Sequence, residues 1–472
     1  MARSGKSRTD SRFPGSSDDP CPSLFPAVLI PALAFSLGWG IRGVFGHERG
    51  ALVPGALAGL TLALVGGPQL RRRAGWMMAA GAAGCAFGGQ ETYGQTVWLT
   101  EGPSREATYW WGMAGLAVKG GAWIGLTGLW LGMAAGHRRY RLAEVAALGA
   151  GMLAAGVVGT WLVNRPFAPP GQLPALYFSN FVSPADPANP PRPECWGGLW
   201  LGLLAAWAYV TLVKRDTLAS RLAGWGVLGG AIGFPAAQAF NVWQAAAQPV
   251  PAGIGRWVDW WKVVEMGFGL IAGLALGVGA WRARHLLPAG DSPQQRVLPL
   301  PARAALLLAG VAVLPALEGG LLPPSLQDFP FGPWLVPAVL AFADAPLAWV
   351  VGLGLPLVLN GQDLACGHLA REMKLISPEW AWGAWAVGSL AALGLAWRWG
   401  RQEEKAPGTR APAALAAGAG IPAVMASAKL LANPAFTTPG LTLGQRLAGS
   451  PVTVVAGFLG LAAALSLWRK TR

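Results

Sequence analysis

A chain of 472 residues, 53% hydrophobic and only 12% charged, with mean hydropathy +0.41, carries about half the charge of a water-soluble domain and is not one. Its 36 Lys+Arg against 22 Asp+Glu give a net +14, but these basic residues sit in short loops beside apolar runs, with no aromatic-interleaved basic domain, which excludes nucleic acid as a partner. The apolar runs are continuous rather than alternating with period two, which excludes a β-barrel and leaves an all-α, polytopic integral membrane protein.

Residues 1–20, rich in Ser, Arg, Asp and Pro, are expected to be a disordered cytoplasmic N-terminus, followed by a single transmembrane domain over 21–472. No small-residue cleavage pattern accompanies the first apolar run, so no cleaved signal peptide is expected. Spans fall at 23–44, 51–68, 75–95, 109–135, 143–164, 196–213, 219–245, 258–281 and 304–320, each near the ~20 residues a bilayer requires. Arg3, Lys6, Arg8 and Arg12 precede the first span, and Arg71, Arg72 and Arg73 follow the second. Arg138, Arg139 and Arg141 follow the fourth, Lys214, Arg215 and Arg221 the sixth, and Arg282 and Arg284 the eighth. This alternation places those loops on the cytoplasmic side of a bacterial-type inner membrane. The long outer loop is 165–195, Pro-rich and aperiodic; no loop has room for a soluble catalytic domain. The absence of a GxxxxGK[ST] loop argues against ATP-driven transport by this chain alone.

Further along, Arg398, Arg401 and Lys405, then Arg469, Lys470 and Arg472, require 379–399 to run outside to inside, with 411–431 and 450–468 as a closing hairpin and the C-terminus cytoplasmic. The stretch 333–360 is then expected to begin and end outside, as a re-entrant pair of half-helices with Asp344 near its tip. The total is about twelve crossings plus that hairpin. Weak repetition links 75–126 with 224–274, and PECWGGLWLG at 193 with PEWAWGAWAVG at 378. A parallel duplication of 23–213 in 219–399, with 411–468 added, accounts for both. Many of the 67 glycines lie four apart, as in Gly81/Gly84/Gly88, Gly121/Gly125 and Gly269/Gly273, and are expected to let helices approach closely.

Polar residues within or beside spans gather in the expected outer half. Arg42, His47 and Glu48 lie at the first hairpin; Gln90, Glu91, Tyr93 and Gln95 close the third span; Asn164 and Arg165 close the fifth; Asn241 and Gln244 close the seventh. Glu318, Lys429 and Asn433 follow the same pattern. Lys119 and Glu265 lie roughly 10–15 Å below the outer surface at about 1.5 Å per residue. Intramembrane ionisable groups mark pathways and sites, so Arg42, Glu48, Glu91, Lys119, Glu265 and Asp344 are the candidate ligand- or ion-binding residues. Lys119 and Glu265 can pair with each other or with Glu48, Glu91 or Asp344. In GHERG, His47 and Glu48 are the candidate acid and base of an enzyme, with Arg42 or Arg49 holding an anionic group. His368 and Glu372 share a helix face. With no HExxH motif and no CxxC among Cys21, Cys85, Cys195 and Cys366, no metal and no cofactor is expected. Cys195 and Cys366 fall on one side, where a disulfide is an open possibility. Trp98, Trp110, Trp111, Trp196, Trp257, Trp260, Trp261, Trp380 and Trp382 fit an interfacial belt.

The leading function is a secondary transporter or permease for a small molecule, working within the lipid bilayer. The alternative is a membrane-embedded transferase or hydrolase acting on a lipid-linked or acylated substrate at an outward-facing site. A scaffold subunit whose charges only join helices is the third option.

Overall fold

The computed structural model describes residues 23–46, 48–91, 93–102, 105–164, 173–179, 193–249, 258–287, 298–308 and 334–431. The disordered N-terminus expected over 1–20, His47, Trp257, Glu318, Asn433, most of the span at 304–320 and the span at 450–468 lie outside them. Every regular element among the described residues is helical. The helices are α1 (Leu24–Phe45), α2 (Glu48–Val65), α3 (Pro68–Arg71), α4 (Ala74–Gly88), α5 (Gly94–Glu101), α6 (Arg105–Ala135), α7 (Leu142–Asn164), α8 (Trp196–Val213), α9 (Thr217–Ala247) and α10 (Trp260–Arg282). They continue as α11 (300–308), α12 (Leu335–Ala341), α13 (Ala345–Glu372), α14 (Pro378–Lys405) and α15 (Ala411–Leu431). Six of them, α1, α7, α8, α10, α13 and α15, are long and apolar enough to cross a membrane, and Arg49–Val65 within α2 is a shorter apolar helix. This makes a multi-pass membrane protein plausible, while twelve crossings exceed what the described helices establish.

Glycines set how close the helices come. An added Cβ at Gly230 of α9 would lie 1.9 Å from the Gly120 carbonyl oxygen of α6, and one at Gly81 of α4 would lie 2.2 Å from the Gly55 carbonyl of α2. Gly269 and Gly273 of α10 meet Phe35, Trp39 and Ala32 of α1 in the same manner. These contacts fix antiparallel pairs α2/α4, α6/α9 and α1/α10, and small residues at such crossings are how helices associate without a hydrophobic driving force between them.

The basic loops collect at one end of the bundle. Arg73 is fully buried and donates from Nη1 to the carbonyls of Ala135, at 2.9 Å, and Gly136, capping the C-terminus of α6. Burial pulls its guanidinium down to about 10, which leaves it cationic at neutral pH. Lys214 reaches the Arg139 carbonyl at 2.9 Å and Glu144 at 2.8 Å, and Gly408 packs on Arg71.

Two expectations are corrected here. The stretch 333–360 is not a re-entrant pair; it is the short α12, a turn, and then the start of the continuous 28-residue helix α13. Asp344-Ala345-Pro346 is a helix-start signal: Asp344 Oδ1 accepts from Leu347 N at 3.0 Å and Pro346 occupies the first turn, where a missing N–H costs nothing. Asp344 consequently lies at the basic-loop end, bound to Arg303 of α11 beside Glu404 of α14. Cys195 and Cys366 are not disulfide-bonded.

Replacing Gly230 by Val should force α6 and α9 apart and lower stability by about 1–3 kcal/mol, the usual cost of overpacking. Chemical unfolding of the purified protein checks this, with Gly383→Ala, at a position where an added Cβ meets open space, as the neutral control.

Candidate functional site

The stretch expected as the third span, 75–95, is α4 followed by an interruption, after which α5 begins. Along α4, Gly81, Gly84 and Gly88 pack against Leu131, Leu126–Thr127 and Trp123 of α6; along α5, Thr96 meets Lys119 and Thr100 meets Gly112. Rising numbers in α4 and then α5 match falling numbers in α6, so both pieces run the same way along it, with an interruption between Gly88 and Gly94. The sequence there, Gly-Gly-Gln-Glu-Thr-Tyr-Gly, explains the break: two consecutive glycines favour leaving the helix, and no apolar residue occupies the gap. Lys119 marks the level, at the middle of the 31-residue α6. Glu91 and Tyr93, expected at the outer end of a continuous span, instead sit at mid-bundle depth.

Two buried polar networks meet at the interruption. In the first, the Tyr93 hydroxyl accepts from Arg42 Nη1 at 2.7 Å and donates to Glu265 Oε1 at 2.6 Å. Arg42 itself comes only to 3.9 Å of that carboxylate, while Lys262 Nζ stands 2.5 Å from Oε2 and Trp261 Nε1 donates at 3.1 Å. The Arg42 guanidinium lies 4.9–5.3 Å from the ring centroids of Trp39, Tyr93 and Trp123, an aromatic box that favours a desolvated cation. Gly43 is required beneath it, because a Cβ there would fall 1.9 Å from Glu265 Oε2.

In the second network, Lys119 Nζ donates to Thr96 Oγ1 at 2.8 Å and Glu194 Oε1 at 2.7 Å, and lies 3.1 Å from Glu91 Oε1. Glu194 also accepts from Ser179 Oγ at 2.8 Å, Phe178 N at 3.0 Å and Trp196 Nε1 at 3.2 Å. Glu91 Oε2 accepts from Cys195 N at 2.8 Å. A strap from the long loop, residues 173–179, thus folds into the bundle above Lys119. Its Phe178 ring packs on Trp111 and Trp196, and Trp111 Nε1 donates to the Tyr177 carbonyl at 2.7 Å. Arg42, Glu91, Lys119, Glu194, Lys262 and Glu265 are each no more than 4% exposed. At the end of α5, Glu101 accepts from Gln238 and Asn241 of α9, each at 2.5 Å.

The candidate residues therefore divide. Arg42 and Glu265 meet in one network, and Glu91 and Lys119 in the other; Lys119 and Glu265 do not pair with each other. Asp344 belongs to neither, being at the basic-loop end with Arg303. Glu48 opens α2, but its side chain, like all of His47, is outside the described residues, so the acid–base pair has no described geometry. His368 Nδ1 and Glu372 Oε2 are 2.7 Å apart on α13, and among the described residues no group of three or more His, Cys, Asp or Glu could hold a metal ion. Sequence reasoning missed Glu194, Lys262 and Arg303, and the box around Arg42. Glu194 had a signal in being the acidic residue next to the start of α8, and Lys262 in standing one turn before Glu265. The tryptophan belt splits: Trp98, Trp110, Trp111, Trp380 and Trp382 are exposed, Trp196 is buried against Glu194, and Trp261 is exposed while donating to Glu265.

No family model matches the chain, and neither does any curated protein or solved structure.

Removing one member of a buried ion cluster leaves uncompensated charge, so Lys119→Met alone should cost about 3–5 kcal/mol. In double-mutant cycles read by chemical unfolding, Lys119 and Glu194 should couple by more than about 1 kcal/mol, and Lys119 with Asp344 by less than about 0.5 kcal/mol.

Proposed function

We propose that this chain is a secondary carrier of the inner membrane, with its site at the interruption between α4 and α5. The observation that supports this is the placement of charge: a helix broken at mid-bundle depth presents Glu91 and Tyr93 to two buried networks drawn from α1, α6, α10 and the strap. Broken helices at this depth are the usual building block of transporter sites, because backbone released from the helix and buried side chains can bind a solute or ion between two moving halves. A scaffold needs charge pairs but no interruption. Six buried ionisable side chains around a glycine-rich break are costly to build in an apolar bundle and have a use if it opens.

On this reading the basic-loop end faces the cytoplasm and the strap end faces outward. The strap closes the outer route over Lys119, while the tight glycine contacts of α2/α4 and α6/α9 close the inner one. The described residues then correspond to an occluded state. Opening requires α5 to move relative to α4, and the single hinge between them is the segment that carries Glu91 and Tyr93. The solute is a small molecule that fits between these networks; the parallel duplication of 23–213 in 219–399 would supply the two halves.

Thr96→Cys, in a background lacking the native cysteines, should react with a membrane-impermeant maleimide both in sealed right-side-out vesicles and in inverted vesicles. Labelling from the strap side alone would instead favour an enzyme with an outward site on a lipid-linked or acylated substrate. No labelling from either side would favour a scaffold.

A further inference from the structure

We propose that Glu91 and Glu194 form a proton-binding site, with the proton carried on Glu91, whose occupancy decides whether the strap stays latched to α6. The role of this proton as a coupling ion rests on the carrier function above; the binding itself does not. Two carboxylates converge on one ammonium: Lys119 Nζ is 2.7 Å from Glu194 and 3.1 Å from Glu91. Two carboxylates sharing one ammonium in a site shielded from water titrate as a unit, and binding one proton lowers their mutual repulsion.

Glu91 accepts from Cys195 N–H on one oxygen and lies 3.1 Å from Lys119 on the other. Glu194 collects N–H and O–H donors from Phe178, Ser179 and Trp196 besides Lys119, an environment built for a carboxylate. Glu91 has the longer contact to Lys119 and stands in the interruption, where the chain can rearrange when its charge changes. The ionisable groups facing it are Lys119 from α6, Glu194 and the Cys195 thiol from the segment entering α8, and Tyr93 within the break. Beyond Tyr93 lie Arg42, Lys262 and Glu265. No histidine is among these described neighbours, so the pair itself is the titrating element.

On release, the O–H bond of Glu91 breaks, the proton passes to water and a carboxylate remains. The second negative charge then competes with Glu194 for Lys119. Two latches depend on that balance. Glu91 ties the break to the start of α8 through Cys195 N–H, and Glu194 ties the strap to α6 through Lys119. Loss of the proton draws Lys119 from Glu194 and frees the strap, admitting water from that end, while the Glu91 carboxylate accepts more strongly from Cys195 N–H.

Infrared difference spectroscopy of the full-length protein in lipid nanodiscs, in H2O and D2O across a pH titration, tests this. At neutral pH the wild type should show a protonated-carboxyl C=O band that shifts in D2O and fades as pH rises. Glu91→Gln should remove that band and Glu265→Gln should keep it. Absence of the band in wild type, or its survival unchanged in Glu91→Gln, overturns the proposal. A band that appears only when sodium is withdrawn also overturns it, by assigning the pair to a metal cation. The spectrum is recorded without any solute, so failure here is distinct from failure of two-sided labelling at position 96.

Discussion

Charge buried in an apolar bundle has to be neutralised by charge, and the central structure of this protein is arranged around that requirement. Arg42, Lys119 and Lys262 meet Glu194, Glu265 and the proton-binding Glu91 in the interior, each no more than 4% exposed. Isolated, any one of them would be expelled toward water or forced to its neutral form. A continuous helix in place of α4 and α5 would direct its side chains along a regular spiral. The interruption instead lets Glu91 turn toward Lys119 while Tyr93, two residues on, turns toward Arg42 and Glu265. One short segment thereby joins both networks, and neither can rearrange without involving it.

The rest of the bundle holds this segment at fixed depth. Close glycine contacts bring α2, α6, α9 and α10 near enough for short polar bridges to span the gaps, and Arg73 secures the far end of α6 by capping it. The interior is otherwise aromatic: Trp39 meets Phe268 and Trp123 with ring centroids 4.5 and 4.8 Å apart, walling off the Arg42 side. The Arg303–Asp344–Glu404 cluster plays a different part, binding α11, α13 and α14 at the basic-loop end.

Much of this was legible in the residues. Continuous apolar runs and clustered arginines give the helical class and the common end of the basic loops, and the expected span at 411–431 coincides with α15. Arg42, Glu91, Lys119 and Glu265 stand out because charge is scarce around them. Glu91 was among the partners expected for Lys119, and the structure has that pair; the other partners were not legible, since pairing depends on neighbours far apart in the chain: α1 lies against α10, and Glu194 reaches Lys119 from a loop. The third span was read as unbroken because Gly-Gly-Gln-Glu-Thr-Tyr-Gly stands at the end of an apolar run, where an outer boundary and an internal break look alike. Asp344-Ala345-Pro346 was misread for the opposite reason. An N-cap followed by proline starts a helix as readily as a turn ends one, and only the neighbours Arg303 and Leu347 N–H distinguish the two.

The central claim is that α5 moves as a unit about the interruption, under control of the charge at Glu91. Pulsed electron–electron distance measurements between spin labels at Trp98 on α5 and Ile232 on α9, both exposed positions, address it directly in lipid nanodiscs. The account predicts at least two distance populations whose ratio changes with pH in the wild type and becomes pH-independent in Glu91→Gln. A single distribution, unchanged by pH and by that substitution, would contradict it and leave the networks as a static brace.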